Sequence, residues 1–152
     1  MAEIRTRHLF DMTLQVAGMQ AIGTTPNGNR RIGLVGGGTF KGERLRGTVL
    51  PGGADWIIAR PDGATTLDVR LVLQTDDEEL IGMVYRGLRH GPPAVMQRLD
   101  RGEAVDPSEY YFRTAIMFET AAEKYAWLNG IFAIGTGRRP PEGPVYEIFE
   151  VL

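Results

Sequence analysis

Carboxylate, phenol and guanidinium groups cluster in four short stretches of the 152-residue chain. In Asp106-Pro107-Ser108-Glu109-Tyr110-Tyr111-Phe112-Arg113-Thr114, three adjacent aromatics run into an arginine. On an extended strand Tyr111, Arg113 and Glu119 share one face, with Tyr110, Phe112 and Phe118 on the other. That face offers a phenol, a guanidinium and a carboxylate to one pocket, or else an Arg113–Glu119 ion pair that only closes the structure. In Val49-Leu50-Pro51-Gly52-Gly53-Ala54-Asp55-Trp56, a carboxylate and an indole follow a glycine-defined corner. A carboxylate shielded by a ring has a raised pKa suited to proton transfer; the structural reading is a turn-capping aspartate beside a packed tryptophan. Tyr85-Arg86-Gly87-Leu88-Arg89-His90-Gly91-Pro92 ends a strand with cations that can grip an anion. Tyr125, Trp127 and Asn129 alternate as two rings and an amide. Core packing accounts for the rings, but a buried amide must find partners. Arg70 and Asp68 interrupt an otherwise apolar strand, so they lie in solvent or face each other across a polar cavity.

The residue types exclude much else. Cysteine is absent, serine occurs only at Ser108 and histidine only at His8 and His90. Thiol chemistry, a Ser/His/Asp triad and a three-histidine metal site are therefore not expected. Gly36-Gly37-Gly38 lacks a following helix and a Gly-Lys-Ser/Thr motif, so it reads as a bulge or a close backbone crossing rather than a phosphate loop. Neither a metal nor a cofactor is called for, and general acid–base chemistry remains. Fifteen of the 17 basic residues are arginine, whose planar fork suits carboxylates and rings. With a net charge of -2 and no basic block, no nucleic-acid partner is expected. The pairs Arg30-Arg31 and Arg138-Arg139 read as solvated loop charge. No run is long and apolar enough for a membrane span, and Met1 to Phe10 is too charged for a signal peptide, so no membrane association and a cytoplasmic location are expected.

These groups have to be positioned by short strands and turns. Glycine and proline number 20 and 9, the composition of a chain that bends often. Alternation predicts strands over Leu9 to Val16, Arg31 to Val35, Arg44 to Leu50, Asp55 to Arg60, Thr65 to Thr75, Leu80 to Arg89, Tyr110 to Thr120, Tyr125 to Gly135 and Val145 to Leu152. Gly18 to Arg31 reads as a loop or lid, and Pro61-Asp62-Gly63-Ala64 as a hairpin turn. Pro92-Pro93 followed by Ala94 to Leu99 and stopped by Gly102 predicts one short helix. Nine or ten strands joined by hairpins favour a single all-β domain over residues 1–152, an antiparallel barrel or sandwich; a barrel leaves no open edge and has room for a cavity.

Several motifs resemble the DUF3237 family, also labelled UPF0311. The matching stretches are Gly37-Gly38-Thr39-Phe40-Lys41-Gly42, Gly47 to Trp56, Leu67-Asp68-Val69-Arg70, Arg86 to Pro92, Asp106 to Thr114, Phe118-Glu119-Thr120 and Trp127-Leu128-Asn129. The resemblance implies a lipocalin-like antiparallel β-barrel that self-associates as a homo-oligomer and holds a cavity. It also implies cofactor-independent enzymes that decarboxylate phenolic or polyketide-like aromatics, or close and open their rings. Ala115-Ile116-Met117 is more apolar than the family pattern, which bears on pocket shape.

Residue types and resemblance together predict an aromatic substrate in the barrel against Trp56, Tyr85 and Trp127. Asp55 would transfer the proton, and Arg113, with Tyr111 and Asn129, would stabilise the oxygen anion. Glu119 completes the pocket, and Arg70 or Arg89 holds a substrate carboxylate. A non-catalytic carrier of small hydrophobic ligands and a structural subunit with a solid barrel are the alternatives. An enzyme needs ionisable groups inside, a carrier mostly apolar walls, and a structural protein no cavity.

Overall fold

Alternating inward and outward side chains dominate the structure, a computed structural model describing residues 2–152. Nine strands run over Thr6–Thr25 (β1), Gly28–Lys41 (β2), Arg46–Val49 (β3), Gly53–Ala59 (β4), Thr65–Thr75 (β5), Leu80–His90 (β6), Tyr111–Glu119 (β7), Phe132–Arg138 (β8) and Val145–Val151 (β9). One α-helix, Pro93–Asp100 (α1), and 3₁₀ segments at Pro107–Glu109 and Glu123–Gly130 complete the described elements. None of these helices is long and apolar enough to cross a membrane.

Every strand pair is antiparallel, in the order β1-β9-β8-β7-β6-β5-β3-β2-β4, and pairing of β1 with β2 closes the sheet into a barrel. Strands β3 and β4 both lie between β2 and β5, as halves of one position in the barrel wall. The break between them is the corner at Pro51-Gly52, where Gly52 takes φ 107°. Beyond that corner β4 lies at the barrel end that holds the cavity. The Pro61–Gly63 turn forms as its sequence predicts, with Gly63 at φ 90° and its N–H donating to the Arg60 carbonyl at 3.1 Å.

The inward faces carry Leu67, Val69, Leu71 and Leu73 from β5, Ile81, Met83 and Tyr85 from β6, and Phe112, Ile116 and Phe118 from β7. One end is filled solid. The Phe10 ring meets those of Phe40 and Phe118 edge-on, with centroids 5.3 and 6.0 Å apart, and Leu9, Leu45 and Leu128 are buried with them. Each such side chain contributes roughly 1.5–3 kcal/mol by leaving water. The cavity's polar and charged groups lie at the opposite end, where α1 joins β6 to β7 and buries Val95 and Leu99.

The β1–β9 seam carries one buried acid. Glu150, 3% exposed, accepts from Arg7 and Arg44. Burial raises its pKa, but the two guanidiniums outweigh burial and hold it below the ordinary 4.5. The ion cluster therefore stabilises the fold fully above pH 4.5, and its contribution is lost as pH falls towards the depressed folded value. Replacing Glu150 by glutamine is expected to cost about 1–3 kcal/mol at neutral pH and to flatten acid unfolding, as measured by urea midpoints between pH 3 and 7.

Two expectations are corrected. Gly18 to Arg31 is no lid: β1 and β2 continue through it and reverse at Pro26-Asn27 with Thr25 opposite Gly28. Bulges at Gln15/Val16, Val16/Gly18 and Ala21/Gly23 break the two-residue period, which hides the strands from pattern reading. Beyond Leu14 this part of β1 pairs with β2 alone. Tyr125 to Gly135 is a strand only from Phe132 onward. Glu123–Gly130 coils instead as a 3₁₀ helix, burying Tyr125 and Leu128 three residues apart.

Candidate active site

Local alternation brings ionisable side chains to the open end of the barrel from strands distant in sequence. Just past the Pro51-Gly52 corner, β4 directs Asp55 inward beside Ile57. Tyr85 and Arg89, four residues apart on β6, share the inward face, and β9 contributes Tyr146. Arg139, in the segment after β8, is fixed by its backbone N–H, which donates to Tyr110 Oη at 2.9 Å. The cavity is a narrow cleft with about 40 Å³ of room, with Leu14, Val16, Met19, Leu67 and Val69 among its apolar walls.

Phe112 floors the charged end. A Cβ at Gly137 would lie 2.7 Å from its ring, so the glycine makes room for it. The Arg89 guanidinium lies 5.4 Å from the Phe112 centroid, and Tyr146 packs edge-on against both Phe112 and Tyr85 at 5.5 Å. Arg89 is 3% exposed, and its Nε, the Nε of Arg31 and the hydroxyl of Tyr85 are buried without hydrogen-bond partners. Buried donors left unpaired cost about 1–3 kcal/mol each, and such groups concentrate where a ligand completes them.

The electrostatics separate acid from donors. Burial raises the Asp55 carboxyl from 3.8 to about 6, against the opposing pull of the Asp68 N–H, which donates to its Oδ1 at 3.1 Å, and of Arg89. Burial pushes Tyr85 well above the ordinary phenol value and Tyr146 to about 12. Arg89 falls to about 10 through burial and the nearby charges of Arg139 and Arg31, and stays a cation at neutral pH. The site thus holds an aspartate that titrates near neutrality, two protonated phenols and the guanidiniums of Arg89 and Arg139, with Arg31 near enough to act on Arg89 by its charge. Among the described residues, no three acidic or histidine side chains converge to hold a metal ion.

Of the residues singled out in the sequence, the cavity gathers Asp55, Tyr85 and Arg89. Trp56, Arg70, Tyr111, Arg113 and Glu119 point away from it, and their expected place inside the barrel is corrected. Strand β7 has to bury either Tyr111, Arg113, Ala115 and Met117 or Phe112, Thr114, Ile116 and Phe118; the second set is more apolar and goes inside. Trp56, 48% exposed, is sent outward by the alternation that turns Asp55 inward. Trp56, Tyr111 and Arg113 do meet, in a shallow outer groove with Arg30, Asp68 and Arg86. There Arg113 lies 5.2 Å from the Tyr111 ring and donates to the Phe112 carbonyl at 2.9 Å, and His90 stacks on Tyr111. Solvent reaches all of them.

Trp127 and Asn129 lie on the 3₁₀ helix at the filled end, away from the cavity. Trp127 packs under Arg44 at 4.2 Å, and the Asn129 amide spans the Thr120 N–H and carbonyl at 2.8 and 3.0 Å. Sequence reading missed Arg31, Arg139 and Tyr146. Arg31 alternates with Gly33 and Val35 and Tyr146 with Ile148, a usable signal once β2 and β9 are taken as continuous strands.

Comparisons with known proteins agree with this barrel from end to end. The model of the family described as Protein of unknown function (DUF3237) matches residues 4–151. A UPF0311 protein of Rhodopseudomonas palustris is 36% identical over 149 residues, 98% of this chain and 97% of that protein. The crystal structure of a conserved protein of unknown function from that organism superposes with TM-score 0.93 at 34% identity, covering 100% of this chain and 99% of the other. A beta-barrel like protein from Acinetobacter baumannii gives TM-score 0.87 at 37% identity, with 99% and 98% covered. An enzyme from Penicillium herquei gives 0.76 at 22% identity over 99% and 96%, a likeness of fold alone.

Proposed function

Because the chain belongs to the DUF3237 family, in which the whole barrel is shared, we propose its activity from the groups inside that barrel: cofactor-independent acid–base catalysis on a small aromatic molecule, as a lyase or an isomerase/cyclase. The observation that carries this reading is the buried Asp55 carboxyl, raised to about 6, in a cavity with two phenols and Arg89. A group titrating there serves both as base and as returning acid near neutral pH. Asp55 takes a proton from the substrate, and the electron pair moves into the conjugated ring and its oxygen. Tyr85 or Tyr146 donates a hydrogen bond to that oxygen, and Arg89 supplies positive potential in a site shielded from water, an effect typically worth several kcal/mol of barrier. The protonated Asp55 then returns the proton to a different atom, so no redox partner is consumed. The Penicillium protein of the same fold, described as an enzyme, is compatible with this reading.

A screen of phenolic carboxylates and conjugated phenols by absorbance tests it, because making or breaking ring conjugation changes the spectrum. Turnover by the wild-type protein that is lost in Asp55→Asn is the expected result. Tight aromatic binding without consumption of any compound would replace the enzyme by a carrier.

A further inference from the structure

Taking the cavity as the substrate site, we propose that Arg31, Arg89 and Arg139 form an anion site that anchors a carboxylate of the substrate, so that the molecule acted on is an aromatic acid. Three observations converge on it. None of these three is in an ion pair among the described residues and none is fully exposed, whereas Arg5, Arg46, Arg70, Arg113 and Arg138, also in no ion pair, lie open to water. Arg89 is almost wholly buried, and its Nε and that of Arg31 have no partner. Arg89, Arg139 and Tyr146 line one cleft, and Arg31 is near enough to act on Arg89 by its charge.

Like charges held together away from water repel and are costly to keep unpaired. The nearby acids do not neutralise them: Asp100 also acts on Arg89 by its charge, so three cations face two carboxylates and one positive charge is left, and Asp55 Oδ1 is already engaged by the Asp68 N–H. The missing partner is an anion that enters with the ligand. Guanidinium forks match a carboxylate edge, and Phe112, under Arg89, gives an attached ring a surface to pack on.

The anchor also constrains the reaction. Loss of CO2 drains charge from the carboxylate into the ring, and cations gripping that carboxylate stabilise the ground state more than the transition state. A carboxylate held here is therefore retained, and Asp55 moves a proton elsewhere on the molecule. This selects isomerisation or cyclisation over decarboxylation of the anchored group.

The test uses 4-hydroxybenzoate, its neutral counterpart 4-hydroxybenzamide and inorganic phosphate, titrated calorimetrically into the full chain near neutral pH. The wild-type protein is expected to bind the benzoate at least tenfold more tightly than the benzamide. Arg139→Gln and Arg31→Gln, at less buried positions than Arg89, are each expected to shrink that preference at least threefold while benzamide binding stays within twofold. Equal affinity for acid and amide, or a preference unchanged in both variants, would overturn the anion site and leave the aromatic cavity standing. Phosphate binding as tight as the benzoate would mean general anion capture and overturn the aromatic-acid assignment. Failure of both aromatics to bind would remove the cavity reading itself.

Discussion

Asp55→Asn is expected to lower turnover by about 10²–10⁴-fold, the usual contribution of a positioned acid–base group, and at the same time to make the protein more stable at pH 8. Both effects have one cause. Burial holds the carboxyl at about 6 in the folded protein against 3.8 for an exposed aspartate. The folded state therefore binds this proton more tightly than the unfolded chain, and stability falls as pH rises from about 4 to about 6. A shift of that size corresponds to up to about 3 kcal/mol at pH 8. Asparagine mimics the protonated acid and removes the penalty, so thermal melts of the variant should lie above wild type at pH 8 and converge with it near pH 4. For wild type, kcat/KM should rise with pH through about 6, because the ionised carboxylate is the base. A folded Asp55→Asn variant with full turnover, or a wild-type profile flat across that range, would remove Asp55 from the chemistry.

The largest expected loss of stability comes from Gly38→Ala, about 2–6 kcal/mol. Gly38 has φ 146°, where an L side chain is strained by about 1–3 kcal/mol. A Cβ there would also collide with the carbonyl oxygen of Thr13 on β1. Backbone cannot move aside as a flexible side chain does, so overpacking adds a further 1–3 kcal/mol or so. The site matters because β2 changes partner here: Gly38 pairs with Val49 of β3, while Val35 pairs with Gly53 of β4. Gly36 is skipped in the β1–β2 register between Gln15↔Gly37 and Val16↔Val35. Gly18→Ala is the matched control. Its Cβ would meet nothing within 4 Å, and a change within about 0.5 kcal/mol is expected. Urea unfolding of the two variants side by side measures the contrast; equal midpoints would mean that the crossing tolerates a side chain.

The triple glycine was legible as a crossing because the chemistry of a phosphate loop was missing around it. The hairpins and the single α-helix were legible for a similar reason, since proline and glycine mark turns locally. Which face of a strand points inward is not local. On β7 the phenol and guanidinium of Tyr111 and Arg113 drew attention, but burial follows the summed apolarity of a whole face, and Phe112, Ile116 and Phe118 outweigh them. The cavity was harder still to read. Its charged members come from β2, β4, β6 and the segment after β8, and only strand register brings them together. Asp55 could be found because a corner precedes it. Arg139 could not, because it sits beside an arginine that suggests an ordinary solvated pair, and Arg31 shows itself only once β2 is taken as one continuous strand. The 3₁₀ helix escaped because Tyr125, Trp127 and Asn129 mimic a two-residue period, whereas Tyr125 and Leu128 are the pair that is buried.

The outer half of β1 leaves the barrel with one open margin. From Val16 to Thr24 its backbone bonds to β2 on one side only, and no charged residue occurs between Asp11 and Arg30. Amide hydrogens that face the open side should exchange with solvent orders of magnitude faster than those facing β2, and faster than any in β5 to β7. Val16 and Met19 lie on that margin and also wall the cavity. The least protected stretch of wall is thus the one beside the Asp55 site. A ligand too broad for the resting cleft can enter by local fraying of this hairpin while the filled end keeps the rest of the barrel intact.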